Sequence, residues 1–304
     1  MPPSTIPTNT SNPGNHAQAL ALAARTHSIP VHIVMPTIST PSKIAGTRSY
    51  GATVIFSGST SEEREAVVHS VIARTGATLI PPYDHPNIIL GQGTLALEFQ
   101  RQVNDLVARE PEVGLHVLMK QGREELDAVI TPCGGGGMLS GVATALEGTG
   151  IRVFGAEPEF EGADDARRGL AAGERITSVK TLTIADGLRT PVGAIPWTII
   201  SDGSKVRGMY SVTEEQIKEA MRLVLERMKV VVEPSSVVGL ATILYNEEFR
   251  RLVEREAGEE GWNIGVVFSG GNTTVEAIGK LFAATPEKKT RRASGLWEGK
   301  GKSG

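Results

Sequence analysis

The sequence predicts an α/β fold of two lobes, each an open parallel sheet with helices on both faces. Two observations carry this. Short apolar, strand-like runs alternate with helical patterns through brief connections, which is the signature of parallel pairing by crossover. Two glycine-rich loops also follow apolar runs, Gly134–Gly137 after Leu126–Cys133 and Ser269-Gly270-Gly271-Asn272 after Ile264–Phe268. Open α/β sheets place ligands at such carboxyl ends of strands. A chain of 304 residues with 40% hydrophobic content is large enough to bury a core in each lobe.

The elements follow in order. Residues 1–14 are rich in Pro, Ser, Thr and Asn and are expected to be irregular. An alanine-rich helix begins at Asn15, a strand spans Val31–Met35, and a helix spans Pro41–Tyr50 and ends at Gly51. A strand over Ala52–Phe56, a helix over Glu62–Arg74 and a strand over Ala77–Ile80 close the small lobe, residues 15–86. The large lobe, residues 87–284, is predicted to hold a helix over Thr94–Val107 and the strand that enters the glycine tetrad. A strand over Arg152–Ala156, helices over Glu214–Met228 and Ser235–Tyr245, and the strand over Ile264–Phe268 follow. The stretch Val107–Glu125 is long and polar for a connection, and reads as an extended helix or a surface insertion. Residues 285–304 read as a polar, disordered tail.

Composition narrows the function classes. A net charge of −3 supplies no basic field for nucleic acid or an anionic membrane. The single cysteine, Cys133, excludes an internal disulfide, fits a reducing compartment, and reads as a small packing residue. With no long apolar span and no signal-peptide pattern at Met1–Pro7, the cytosol is the expected location.

The tetrad Gly134–Gly137 is the strongest chemical signal. A buried strand enters a loop without side chains, and the loop opens a small-residue helix at Met138. Backbone N–H groups can then close on a phosphate while the helix dipole favours its charge. No Gly-Lys-Ser/Thr follows the tetrad, and the tetrad lacks the spaced dinucleotide fingerprint and its distal acid in a clear βαβ setting, so the loop reads as neither a nucleotide P-loop nor a dinucleotide turn.

Seven stretches, in one order, resemble the serine racemase and threonine (serine) dehydratase family: Gly14–Leu20, Gly91–Thr94, Gly134–Met138, Ala156–Pro158, Ile184–Gly187, Glu233–Ser235 and Ser269–Asn272. These are pyridoxal-phosphate (PLP) enzymes of the tryptophan-synthase-β fold type, and the resemblance spans most of the chain. It implies β-elimination from hydroxy amino acids such as L-serine and L-threonine to keto acid and ammonia, or serine racemisation. The cofactor residues it implies are Asn15 at the ring hydroxyl, Gly134, Gly135, Gly136, Gly137 and Met138 at the phosphate, Gly187 and Glu233 along the wall, and Ser269 at the pyridine nitrogen. Asn12 and His16 correspond to the loop that holds the substrate carboxylate. Arg64 either reaches the same carboxylate or is an exposed helix arginine paired within its own helix. Glu157, Ala163 and Asp165 resemble the family's Mg or Ca site, with a spacing two residues longer than the family pattern. The resemblance further implies a homodimer and, at Gln18 and Ala45, an ATP effector position.

Two departures qualify that picture. The family's Schiff-base lysine lies roughly thirty residues before the Gly-Asn-His loop. Fourteen residues precede Asn15, none is lysine, and the first lysine is Lys43, which nothing in the sequence marks as a substitute. Pro13 stands where racemases carry a second acid/base serine, and proline has neither hydroxyl nor N–H. The family's early segment, which contributes a strand to the small lobe, is therefore expected to be missing, and the chain alone is expected to be weak or inactive. The alternatives are a non-catalytic paralogue that binds PLP, a metal or a family partner, and a nucleotide or sugar-phosphate binder that uses the glycine loop alone.

Overall fold

The computed structural model describes residues 8–10, 14–109 and 126–283, the first of these through its backbone only. Among the described residues two four-stranded sheets form, ordered β3-β2-β1-β4 and β7-β6-β5-β8, with every pairing parallel.

The first sheet is built from β1 (Thr8–Thr10), β2 (Val31–Pro36), β3 (Thr53–Ser57) and β4 (Thr78–Leu79). β1 corrects the expectation that residues 1–14 are irregular throughout. It fills the place between β2 and β4, with Thr8 opposite Val31 on one side and Thr78 on the other. Pairing in a ready-made slot overrides the weak strand signal of a Pro/Ser/Thr-rich stretch.

Helices α1 (Asn15–Thr26), α2 (Pro41–Ser49) and α3 (Ser61–Thr75) accompany this sheet. Ala17, Ala21 and Ala24 form one buried stripe on α1 that packs with Ile33 and Met35, while Val34 faces Val68 and Val71 of α3. Alternate residues of β2 therefore meet helices on opposite faces, which is why this strand reads as continuously apolar. The bounds of α3 are local: Thr60 Oγ1 accepts from Glu63 N, Glu63 Oε2 accepts from Thr60 N, and Gly76 ends the helix at φ +68°.

The second sheet comprises β5 (Ala128–Pro132), β6 (Arg152–Pro158), β7 (Gly208–Val212) and β8 (Ile264–Val266). Its helices are α4 (Pro86–Arg109), α5 (Gly137–Ala145), α6 (Asp165–Ala172), α7 (Ala194–Ile200), α8 (Glu214–Leu223), α9 (Val238–Tyr245) and α10 (Glu247–Ala257). Val129, Leu139, Val142, Val153 and Met209 centre one core. On the other side Phe154 meets Phe249 edge-on with ring centroids 5.2 Å apart.

The helix expected from Thr94 begins eight residues earlier, at Pro86, so Gly91-Gln92-Gly93-Thr94 is helical. A Cβ on Gly93 would stand 2.8 Å from Gly141 O, and this close crossing of α4 on α5 explains glycine inside a helix. The connection expected after Val107 has α4 running to Arg109, and residues 110–125 lie outside the described set, as do Asn12, Pro13 and the tail from 284. The unit from Thr274 onward contains α11 (Val275–Phe282), whose first turn is capped by Thr274 Oγ1 accepting from Ala277 N.

Candidate active site

The glycine tetrad joins β5 to α5, as the strand–loop–helix pattern requires. Gly136 is the residue before the helix and sits at φ +84°, a left-handed conformation that glycine adopts freely. Gly135 lies under the ring of Tyr83, which a Cβ would strike. Packing on one side of the loop thus demands glycine as firmly as a ligand on the other would. Tyr83 was not singled out from sequence, because nothing local links it to residues 52 positions away. Among the described residues no side chain caps α5, and its first-turn N–H groups have no intrahelical acceptor. Met138 is half-buried in that turn.

The next residue, Asp84, anchors the opposite wall of the loop. Its carboxylate accepts from Ala194 N (2.9 Å) and Ile195 N (2.8 Å), closing the amino end of α7, and Gly193 N donates to Gly135 O.

Glu233 centres a second group. Its side chain is 4% exposed. Oε1 accepts from Asn15 Nδ2 at 2.7 Å and Oε2 from Asn272 N at 2.9 Å. Burial pushes its carboxyl above the usual range, and the Asn15 hydrogen bond opposes that shift. Two neighbours extend the network: Gly187 N donates to Ser235 Oγ at 3.0 Å, and Gly270 N to Ser236 Oγ at 3.2 Å. Asn15, Gly187, Glu233 and the Ser269–Asn272 loop therefore converge, although Asn15 and Glu233 are 218 residues apart. Ser269 is exposed just beyond β8. Asn272 Nδ2 is buried with no hydrogen-bond partner among the described residues.

Of the expected carboxylate-binding residues, His16 is half-buried and its Nε2 donates to Ile80 O at 3.4 Å, with burial pushing its pKa down. Arg64 sits in the first turn of α3.

The expected cation residues lie at the end of β6. Glu157 is fully buried, and its two oxygens accept from Ala166 N (3.0 Å) and Arg167 N (2.9 Å) at the amino end of α6. Asp165 Oδ2 accepts from Val192 N at 2.9 Å. Burial, then the charge of Asp165, pushes Glu157 well up, and burial pushes Asp165 up to about 6. Ala163 is buried beside them, whereas Asp164 is committed to Arg168 at 2.9 Å. Among the described residues no cluster of three or more His, Cys, Asp or Glu side chains has metal-holding geometry. Cys133 is buried, and that burial pushes its thiol well up.

A cavity of about 490 Å³ lies elsewhere, between α4 and β8, lined by residues such as Gln92, Phe99 and Val266.

A family profile described as pyridoxal-phosphate dependent enzyme matches residues 2–270. The chain belongs to that family. It is 38% identical over 278 residues to a serine racemase of Arabidopsis thaliana, covering 91% of this chain and 76% of the relative. It is 36% identical to an L-threo-3-hydroxyaspartate ammonia-lyase of a Pseudomonas species, covering 88% and 75%. The solved structure of a T.th. threonine deaminase matches with a TM-score of 0.72 at 35% identity, over 89% of this chain and 79% of that one. These relatives share the tryptophan-synthase-β-like α/β fold expected from the sequence.

The residues present suit pyridoxal phosphate. The uncapped first turn of α5 offers N–H donors to a phosphate, and the orphaned Asn272 amide lies beside the Glu233 wall.

Proposed function

We propose that this chain carries the site of a PLP-dependent serine/threonine ammonia-lyase of the racemase and dehydratase type, a site for small hydroxy amino acids. The observation that carries this reading is the convergence of the glycine loop, the Gly187 turn and the Asn15–Glu233–Asn272 network at the carboxyl ends of the large sheet's strands. When bound, PLP supplies an electron sink for the charge left when the α proton of an amino acid is removed.

The residues have separable tasks. Gly134, Gly135, Gly136, Gly137 and Met138 hold the phosphate through backbone N–H groups and the α5 dipole. Glu233 fixes Asn15, so that the amide presents to the ring hydroxyl in one orientation. Ser269 would face the pyridine nitrogen as a neutral hydroxyl, which would favour β-elimination and racemisation over transamination. Asn12, His16 and the amino end of α1 receive the substrate carboxylate, with Arg64 approaching from α3. His16 enters as a neutral ring, because burial lowers its pKa.

Glu157, Asp165 and the Ala163 carbonyl take Mg or Ca. Two neighbouring carboxylates whose pKa values are raised by burial fit a hard cation, which would neutralise both. Gln18, whose buried Nε2 has no partner among the described residues, lies against α2 at Gly46 and supports an ATP effector position there. The assembly expected is a homodimer, tested by light scattering.

The deciding experiment titrates the protein with PLP by absorbance and fluorescence. L-serine and L-threonine follow, with keto acid, ammonia and D-serine measured. Keto acid release supports the lyase, and D-serine the racemase. Saturable PLP binding without turnover favours the non-catalytic paralogue. The absence of any PLP spectral change overturns the assignment.

A further inference from the structure

One ion pair joins an element of the small sheet to the Gly187 turn. Lys43, in the first turn of α2, places Nζ 2.7 Å from Asp186 Oδ2, across 143 residues of sequence. The Lys43 side chain is 22% exposed, so most of it is covered in making the pair.

Asp186 opens the turn Asp186–Leu188, and the large lobe fixes that turn at several points. Glu214 accepts from Thr183 Oγ1 (2.6 Å) and Ile184 N (2.8 Å), Gly187 N donates to Ser235 Oγ, and Arg189 donates to Thr183 O. The same turn backs the glycine tetrad: a Cβ on Gly134 would lie 2.9 Å from Leu188 Cα and 3.2 Å from Gly187 O. Lys43 and Asp186 also both act electrostatically on Glu233, with opposite signs.

We propose that Lys43 and Asp186 are a positioning pair that ties the substrate-side lobe to the shape of the cofactor cradle. Lys43 holds the exposed end of a turn whose other end lies close against Gly134. A carboxylate seated at the amino end of α1 would stabilise the same lobe position that Lys43 stabilises. Substrate and cofactor binding are thereby coupled through the pair. Lys43 thus has a positioning task that leaves its amine committed to Asp186. The inference deepens the PLP reading and rests on it.

The test uses the full chain with Lys43→Met, Lys43→Arg, Asp186→Asn and the double Lys43→Met/Asp186→Asn. Hydrogen exchange without PLP is followed in residues 41–49 and 183–189. Each neutralising single change is expected to speed exchange in both segments, including the one it leaves unaltered. PLP affinity is expected to fall about fivefold in each single variant, to fall no further in the double, and to be retained by Lys43→Arg. Exchange that changes only in the substituted segment, or PLP losses that add in the double variant, overturns the pair. A wild-type chain that gives no PLP signal refutes the functional reading, while the exchange data still judge the pair.

Discussion

Replacing Asn15 with Asp tests the centre of the site directly. Asn15 Nδ2 lies 2.7 Å from Glu233 Oε1, and Glu233 is 4% exposed. The substitution keeps shape and helix position but turns a donor into a second carboxylate. Two unit charges 2.7 Å apart at an effective dielectric of 20 repel by about 6 kcal/mol. That figure is an upper bound, because the pair binds a proton instead. The loss then grows by about 1.4 kcal/mol for each pH unit between the ordinary carboxylate pKa and the raised pKa of the shared site, and levels off above it.

The sign follows from linkage. Burial already raises the Glu233 carboxyl, so the folded state holds this proton more tightly than the unfolded chain. Stability of Asn15→Asp should therefore be nearly wild-type at pH 5 and fall steadily toward pH 8. Asn15→Ala removes only a hydrogen bond to a charged acceptor. It should cost about 1–2 kcal/mol with a much weaker pH dependence. Urea unfolding of the two variants at pH 5, 6.5 and 8 gives the comparison. Equal losses at all three pH values would overturn this account, since Glu233 would then not face residue 15 as a charge.

Other consequences follow from the same geometry. Gly136→Ala forces a Cβ to within 2.8 Å of Pro196 Cβ and 2.9 Å of Ile200 Cδ1 at φ +84°. It should cost about 2 kcal/mol in urea unfolding and lower PLP affinity more than tenfold in a fluorescence titration. Asp84→Ala uncaps α7 and should lower the melting temperature by about 2–4 °C, read by calorimetry. Asp165 is pushed up to about 6 from an ordinary 3.8, so between those values the folded state keeps a proton that the unfolded chain has lost. In chelator, stability should fall as pH rises through that window, and the buried Glu157 carboxyl, also pushed well up, adds to the fall as it ionises. Mg or Ca should raise the melting temperature at pH 7.5 far more than at pH 5, and Asp165→Asn should abolish that gain.

Much of the fold is legible in local patterns. The α3 helix is bracketed by Thr60–Glu63 and Gly76, and β5 is an unbroken apolar run into glycine. Such signals depend on neighbours within a few residues, so they survive without tertiary information. β1 was not legible, because a Pro/Ser/Thr-rich stretch becomes a strand only where β2 and β4 leave a slot. The helical state of Gly91–Thr94 was hidden for a related reason, since glycine there serves the crossing at Gly141. β7, α6 and α7 carry no comparably strong local signal, whereas α10 does, in the Asn246 cap that accepts from Phe249 N ahead of Glu247 and Glu248.

Local composition and spacing were enough to establish the parallel α/β plan and the phosphate-suited loop at Gly134–Gly137, and the resemblance to the racemase and dehydratase family implied that Asn15, Gly187, Glu233 and Ser269 belong to one site. The folded chain was needed to show that Asn15 reaches Glu233, that Lys43 reaches Asp186 and that Tyr83 roofs Gly135. Periodicity records which face of an element is buried. It does not record which distant side chain lies across from it, because that partner is chosen by the crossing of elements far apart in the chain.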